Sequence, residues 1–159
     1  MKIFLGTALL ISMNVMAAQM PVFLDIARDT NGRLKYMDHS DATRYCANRG
    51  ARLPSIRELA QLSMSLGAKG IGESCGTDKS CYKFSNIQNA DGSKDEFYYS
   101  FSGYQRPAGD LGNNGFWSSS RLVNSGYYDN AFFFGGGRGD INSGYRYYYL
   151  LLALCVARR

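Results

Sequence analysis

Four cysteines, Cys46, Cys75, Cys81 and Cys155, constrain this chain more than any other feature, because the N-terminus ahead of them points to an oxidising compartment. Lys2 supplies one positive charge, residues 3–16 an apolar run, and Ala17 and Ala18 the small residues before Gln19. That is the pattern of a secretory signal peptide, and the run falls short of the roughly 20 residues a membrane span needs. No cysteine near the predicted cut offers a site for a lipid. The expectation is a leader over 1–18 and one domain over 19–159, exported to the periplasm, the cell surface or the medium, with no transmembrane segment in the mature chain. An even cysteine count in an exported chain reads as two disulfides, with three connectivities open. Spacing favours one of them. Cys75 and Cys81 flank the short polar stretch "GTDKS" and would close it locally, leaving Cys46 and Cys155 to join the first helix to the last strand. A metal site fits poorly, since no two cysteines have Cys-x-x-Cys spacing and the sole histidine is His39.

Without its leader the chain keeps about 140 residues, enough for one domain with its own core. Of the 18 Lys and Arg, Lys2 leaves with the leader; 17 remain against 13 Asp and Glu, a mature net charge of +4. The basic residues are scattered, and nucleic-acid binding needs them in a stripe. Weak attraction to an anionic surface remains compatible with this balance.

Residues 19–35 read as a strand, a turn at "DTNG" and a second strand. In "DHSDATRYCANRG", Asp38 or Ser40 can cap a helix whose inner face carries Ala42, Tyr45, Cys46 and the stem of Arg49, with Gly50 ending it. In "LPSIRELAQLSMSLG", Ser55 and Glu58 have capping-box spacing, Leu59, Leu62 and Leu66 follow at helical spacing, and Gly67 is the stop. Both helices are expected against one sheet. From Ala68 to Leu111 the chain is rich in Gly, Ser, Asn, Asp and Lys, and reads as a long loop region with one or two short strands and the Cys75–Cys81 clip. From Gly112 onward, hairpins with turns at "NNG", "NSG" and "GGG" are predicted.

"ATRYCANRGARLPSIRELAQL", then "NNGFWSSS", then the terminal "LCVARR" resemble the bacterial C-type-lectin-like domains, in particular the small exported domains that end invasin- and intimin-like adhesins. The match covers the helical region, the tryptophan segment and the last strand, and leaves the middle unmatched. The resemblance implies an α+β, C-type-lectin-like fold with two helices on a mostly antiparallel sheet. It also implies paired terminal strands, a projecting long loop region, and a first-helix cysteine bridged to the last strand. That bridge agrees with Cys46–Cys155 from spacing. Calcium-dependent sugar binding in animal relatives needs a Glu-Pro-Asn or Gln-Pro-Asp loop followed by Trp-Asn-Asp. Here the nearest segments are "YQRPAGD" and "FWSSS", and the spacing of Asp91, Asp95 and Glu96 does not demand a calcium site. No cofactor or metal is expected.

Trp117 reads as a core residue, Ser118–Ser120 as partly exposed hydroxyls, and His39 as a surface residue, which leaves a serine-hydrolase triad without a base. Arg138-Gly139-Asp140 matches the tripeptide of some integrin ligands but reads as a chance product of a glycine-rich turn. More weight falls on the tyrosines. Tyr127, Tyr128, Tyr145, Tyr147, Tyr148 and Tyr149 crowd the last third, interleaved with Asn124, Ser125, Asp129, Asn130, Asn142, Ser143 and Arg146. Tyrosine gives large contact area at low entropic cost, and Ser, Gly and Asn give adaptable hydrogen bonds. The predicted ligand surface is Tyr127, Tyr128, Asp129, Asn130, Arg138, Tyr145, Arg146 and Tyr147. On a single closing strand, Tyr147, Tyr149, Leu151, Ala153 and Cys155 would share one side, with the buried core starting near Leu150. The expected function is non-covalent recognition of an extracellular protein or glycan by a monomeric or weakly associating module. The block from Leu122 to Tyr149 also resembles the variable regions of retroelement-diversified target proteins. A structural envelope protein is a further reading. An enzyme akin to the formylglycine-generating oxidases, which share a lectin-like core, would need a reactive cysteine pair, and Cys155 is expected to be structural.

Overall fold

The structure is a computed structural model and describes residues 20–158 except 124, 125, 127 and 128. The expected leader therefore lies outside the described residues. Two helix starts follow from local chemistry. The Asp38 carboxylate accepts the Asp41 N–H at 2.8 Å and opens α1 (His39–Ala47). Ser55 and Glu58 close a reciprocal capping box at the start of α2 (Ile56–Ser65). The Glu58 carboxylate also takes two bonds of 2.7 Å from Arg52, fastening α2 to β2 (Ala51–Arg52).

The fold is α+β, with two antiparallel sheets. In the smaller, β1 (Phe23–Ile26) and β2 flank β9 (Leu154–Ala157), so the two ends of the described chain pair, Phe23 opposite Val156. The larger is built from β3 (Gly70–Gly72), β4 (Cys81–Gln88), β5 (Lys94–Ser100), β6 (Gly115–Leu122), β7 (Asn130–Gly135) and β8 (Asp140–Tyr145). Its order is β3-β5-β4-β6-β7-β8. The short α3 (Asp110–Asn113) leads into β6. Both disulfides are closed: Cys46–Cys155 ties α1 to β9 across 109 residues, and Cys75–Cys81 clips the chain just before β4.

Alternation along β6 divides the core. Phe116 joins Phe132 and Phe134 of β7 against Ile56, Leu59 and Ala60 of α2. Its neighbour Trp117 joins Ala131 against Ala42 and Cys46 of α1. Successive strand residues point to opposite faces, so the two helices do meet one sheet, but from its two sides. Trp117 is fully buried and its indole N–H donates to the Met37 carbonyl at 2.9 Å.

Several expectations require correction. The stretch 68–111 is mainly sheet: β4 and β5 form a hairpin of eight and seven residues, turned at Asn89–Ser93. Three residues of β4 and two of β5 are exposed, among them Lys83, Asn86, Lys94 and Glu96, which gives the segment its polar composition. The strand pair predicted over 19–35 reduces to β1 and a single bridge, Arg28 to Leu34, because β1 finds its partner in β9. "NNG" at 113–115 is the passage from α3 into β6 rather than a hairpin turn. The "GGG" turn does join β7 to β8. Ser118 and Ser120 are buried: the Ser118 hydroxyl donates to the Phe132 carbonyl at 2.8 Å, and that of Ser120 to Asn89 Oδ1 at 2.8 Å. His39 is also buried, only 6% exposed. The closing segment is not one strand. β8 ends at Tyr145, residues 146–148 turn, and the chain re-enters the core only at Leu152, leaving Leu150 60% exposed.

Candidate binding surface

The tyrosines cluster because β8 runs out of partners. Its ladder with β7 ends at Asn130 opposite Tyr145. Beyond that pair the chain tightens into a turn, with the Tyr148 and Tyr149 amides both donating to the Tyr145 carbonyl at 3.1 Å. Tyr145 stacks on Tyr148 at 4.9 Å between centroids and meets Tyr147 edge-on at 5.7 Å. Tyr149 lies over Phe133 at 6.2 Å, with its ring against Gly144, where a Cβ would come within 3.1 Å. The outward faces are large, Tyr148 being 79% exposed and Tyr147 and Tyr149 half-exposed.

Arg146 holds this turn. Its guanidinium pairs with Asp129 at 2.5 Å, donates to the Tyr147 hydroxyl at 2.6 Å and lies over the Tyr147 ring at 4.7 Å. Its amide donates to the Asp129 carbonyl, and its carbonyl accepts the His39 N–H at 3.0 Å. The Arg146 Nε is buried with no hydrogen-bond partner among the described residues. His39 lies beneath the turn. One ring nitrogen, Nε2, is 2.8 Å from the Ser118 carbonyl and so carries the proton, and the ring meets Trp117 edge-on. Burial holds the His39 pKa below its ordinary value, with Arg146 and Arg121 acting in the same direction.

Of the predicted ligand residues, the structure brings together Asp129, Asn130, Tyr145, Arg146 and Tyr147. Tyr127 and Tyr128 lie outside the described residues. Arg138 does not join them. It sits at the opposite, turn end of the β7–β8 hairpin, roughly 20 Å away along a six-residue strand. There it pairs with Asp140 at 2.7 Å and borders a cleft of about 510 Å³ walled by Tyr82 and Phe101, whose rings stack at 6.2 Å. Gly139 is buried and the Asp140 carboxylate is largely covered, so the Arg-Gly-Asp tripeptide does not project as a loop. Tyr148, Tyr149 and Leu150, outside the predicted ligand set, are exposed beside it. Their signal, a run of large side chains past the last strand pairing, depends on where β7 ends.

The carboxylates weighed for calcium are each engaged elsewhere. Asp95 forms a two-bond pair with Arg57, Glu96 an ion pair with Lys83 at 2.8 Å, and Asp91 accepts from Ser93. Among the described residues, no three of His, Cys, Asp and Glu gather into a metal-holding group. No helix among them is long and apolar enough to cross a membrane. No family model matches this chain, and it has no match among curated proteins or solved structures.

Proposed function

We propose that this chain is an exported binding module of C-type-lectin-like fold that recognises a protein or glycan outside the cytoplasm, non-covalently, through the tyrosine turn at 145–149. The observation that carries the reading is the exposed aromatic group Tyr145, Tyr147 and Tyr148, stacked on one another and steadied by Arg146. Aromatic faces supply stacking and apolar contact, and the Asp129–Arg146 pair with the Asn130 amide supplies orientation. The paired chain ends and the Cys46–Cys155 bridge support the lectin-like fold, since the resemblance implies both. Two disulfides favour an oxidising compartment. With Cys155 closed onto Cys46, it offers no free thiolate to an oxidase-like chemistry.

The test is binding to glycan arrays and whole cells, with and without a calcium chelator, by the mature protein and by a Tyr147→Ser/Tyr148→Ser variant. These two rings are exposed, so the variant is expected to keep its circular dichroism and unfolding midpoint. Binding that survives chelation and is lost in the folded variant supports the turn. Binding unchanged in that variant refutes it and moves the site elsewhere. Absence of binding to every glycan and cell type favours the structural-envelope reading.

A further inference from the structure

We propose that a second, separate site binds an oxyanion, a sulfate or phosphate group, in the cleft between residues 28–37 and α1. The cleft has a volume of about 580 Å³ and is open to solvent. Four cations line it, Arg28, Lys35, Arg44 and Arg49, against two carboxylates, Asp29 and Asp41, an excess of two positive charges. Much of this charge is spent internally. Arg44 pairs with Asp41, Arg28 pairs with Asp110 outside the cleft, and Asp29 accepts the amides of Asn31 and Arg33 at 2.8 and 2.9 Å.

Lys35 and Arg49 are different. Neither has a carboxylate partner among the described residues, and both converge on one ring. The Arg49 guanidinium lies 3.7 Å over the centre of Tyr45, and the Lys35 ammonium 5.8 Å from it. A guanidinium stacked on an aromatic face keeps its N–H edges free in its own plane, the geometry that takes two oxygens of a sulfate or phosphate. The dipole of α1 accounts for cations at its C-terminal end, where Arg44 and Arg49 stand. It does not account for Lys35, which reaches the same ring from the facing wall. That helix end presents carbonyls rather than amides, so the ligand's charge would be met by side chains alone. The oxyanion could be a free ion or an ester on a polyanionic saccharide.

The test is titration calorimetry of the mature protein at low salt with sodium sulfate, sodium phosphate, a heparin hexasaccharide and its desulfated form. A Lys35→Gln/Arg49→Gln variant is compared with Lys79→Gln/Lys94→Gln, which removes the same net charge from exposed lysines away from the cleft. Affinity for the anionic probes about tenfold or more weaker in the cleft variant, and nearly unchanged in the control, is the expected result. Equal affinity for simple sulfate and for the hexasaccharide, per sulfate bound, assigns the site to a free ion. Tighter hexasaccharide binding that fails on desulfation assigns it to a sulfated chain. Equal losses in both variants, or no binding by any anionic probe, overturn the proposal. The Tyr147→Ser/Tyr148→Ser variant keeps this binding intact, so the two sites fail independently.

Discussion

The two disulfides close loops of very different length, and their removal should separate them in stability. Cys46 and Cys155 stand 109 residues apart, Cys75 and Cys81 only 6. A cross-link restricts the unfolded chain by an entropy that grows with the logarithm of the closed loop. On that relation the long bridge contributes about 5 kcal/mol and the short one about 2. Burial widens the gap: Cys46 and Cys155 are fully buried between α1 and β9, so truncation there also leaves a void, whereas Cys75 and Cys81 are only partly buried. Cys46→Ala/Cys155→Ala is therefore expected to lose at least about 2.5 kcal/mol more than Cys75→Ala/Cys81→Ala. For a domain of this size that is a melting-temperature difference of roughly 8 °C. Equilibrium urea unfolding of both variants and the parent, followed by circular dichroism, measures it. A short-clip variant as destabilised as the long-bridge variant would refute the loop-entropy reasoning and place the stability of the clip in native contacts of β4.

Gly139→Ala should cost about 3 kcal/mol, because φ is +74° and the new Cβ would stand 2.3 Å from the Tyr104 ring. Gly137→Ala, whose Cβ meets nothing nearer than 3.6 Å, should be near neutral, and equal urea midpoints for the two would contradict this. His39 binds its proton less readily when folded than at its ordinary pKa of 6.5, so the unfolded state takes up more protons as pH falls. That part of the stability is complete above pH 6.5 and is lost progressively below it. His39→Gln should flatten the stability profile between about pH 7 and 5, and parallel profiles for parent and variant would rule His39 out.

What the sequence disclosed and what it hid differ in range. Asp38 with Asp41, and Ser55 with Glu58, act across three residues, so both helix starts are legible in local spacing. Cysteine spacing marked both bridges, and Trp117 took the core position its size suggested. The β4–β5 hairpin carried a usable signal that composition obscured, Asp91-Gly92 between Tyr82, Phe84 and Phe97, Tyr99. Ser118, Ser120 and His39 were misplaced because the partners that make their burial tolerable are remote: Phe132, Asn89, and for His39 a carbonyl 79 residues away. The tyrosine turn was hidden for a similar reason. Tyrosine favours strands, yet a strand needs a neighbour, and β7 stops at Asn130. The cationic cleft is assembled from two segments with no shared sequence signal.

The turn's outward tyrosines are hard to explain as contributors to stability. Burying a large apolar side chain contributes about 1.5–3 kcal/mol, and Tyr148 and Leu150 leave most of that unrealised. The buried Arg146 Nε, without an acceptor among the described residues, adds a cost of about 1–3 kcal/mol. Against these stand the Asp129 pair and the main-chain bonds to Asp129 and His39, which fix the turn to β7 and α1. The result is an aromatic surface whose backbone is ordered before any partner arrives. Ordering a loop on association lowers affinity, and a turn already held by Arg146 avoids that cost. A fold that only needed to close its chain between β8 and β9 would gain by turning Tyr148 and Leu150 inward. Here they face solvent on a fixed support, an arrangement in keeping with the contact surface proposed above.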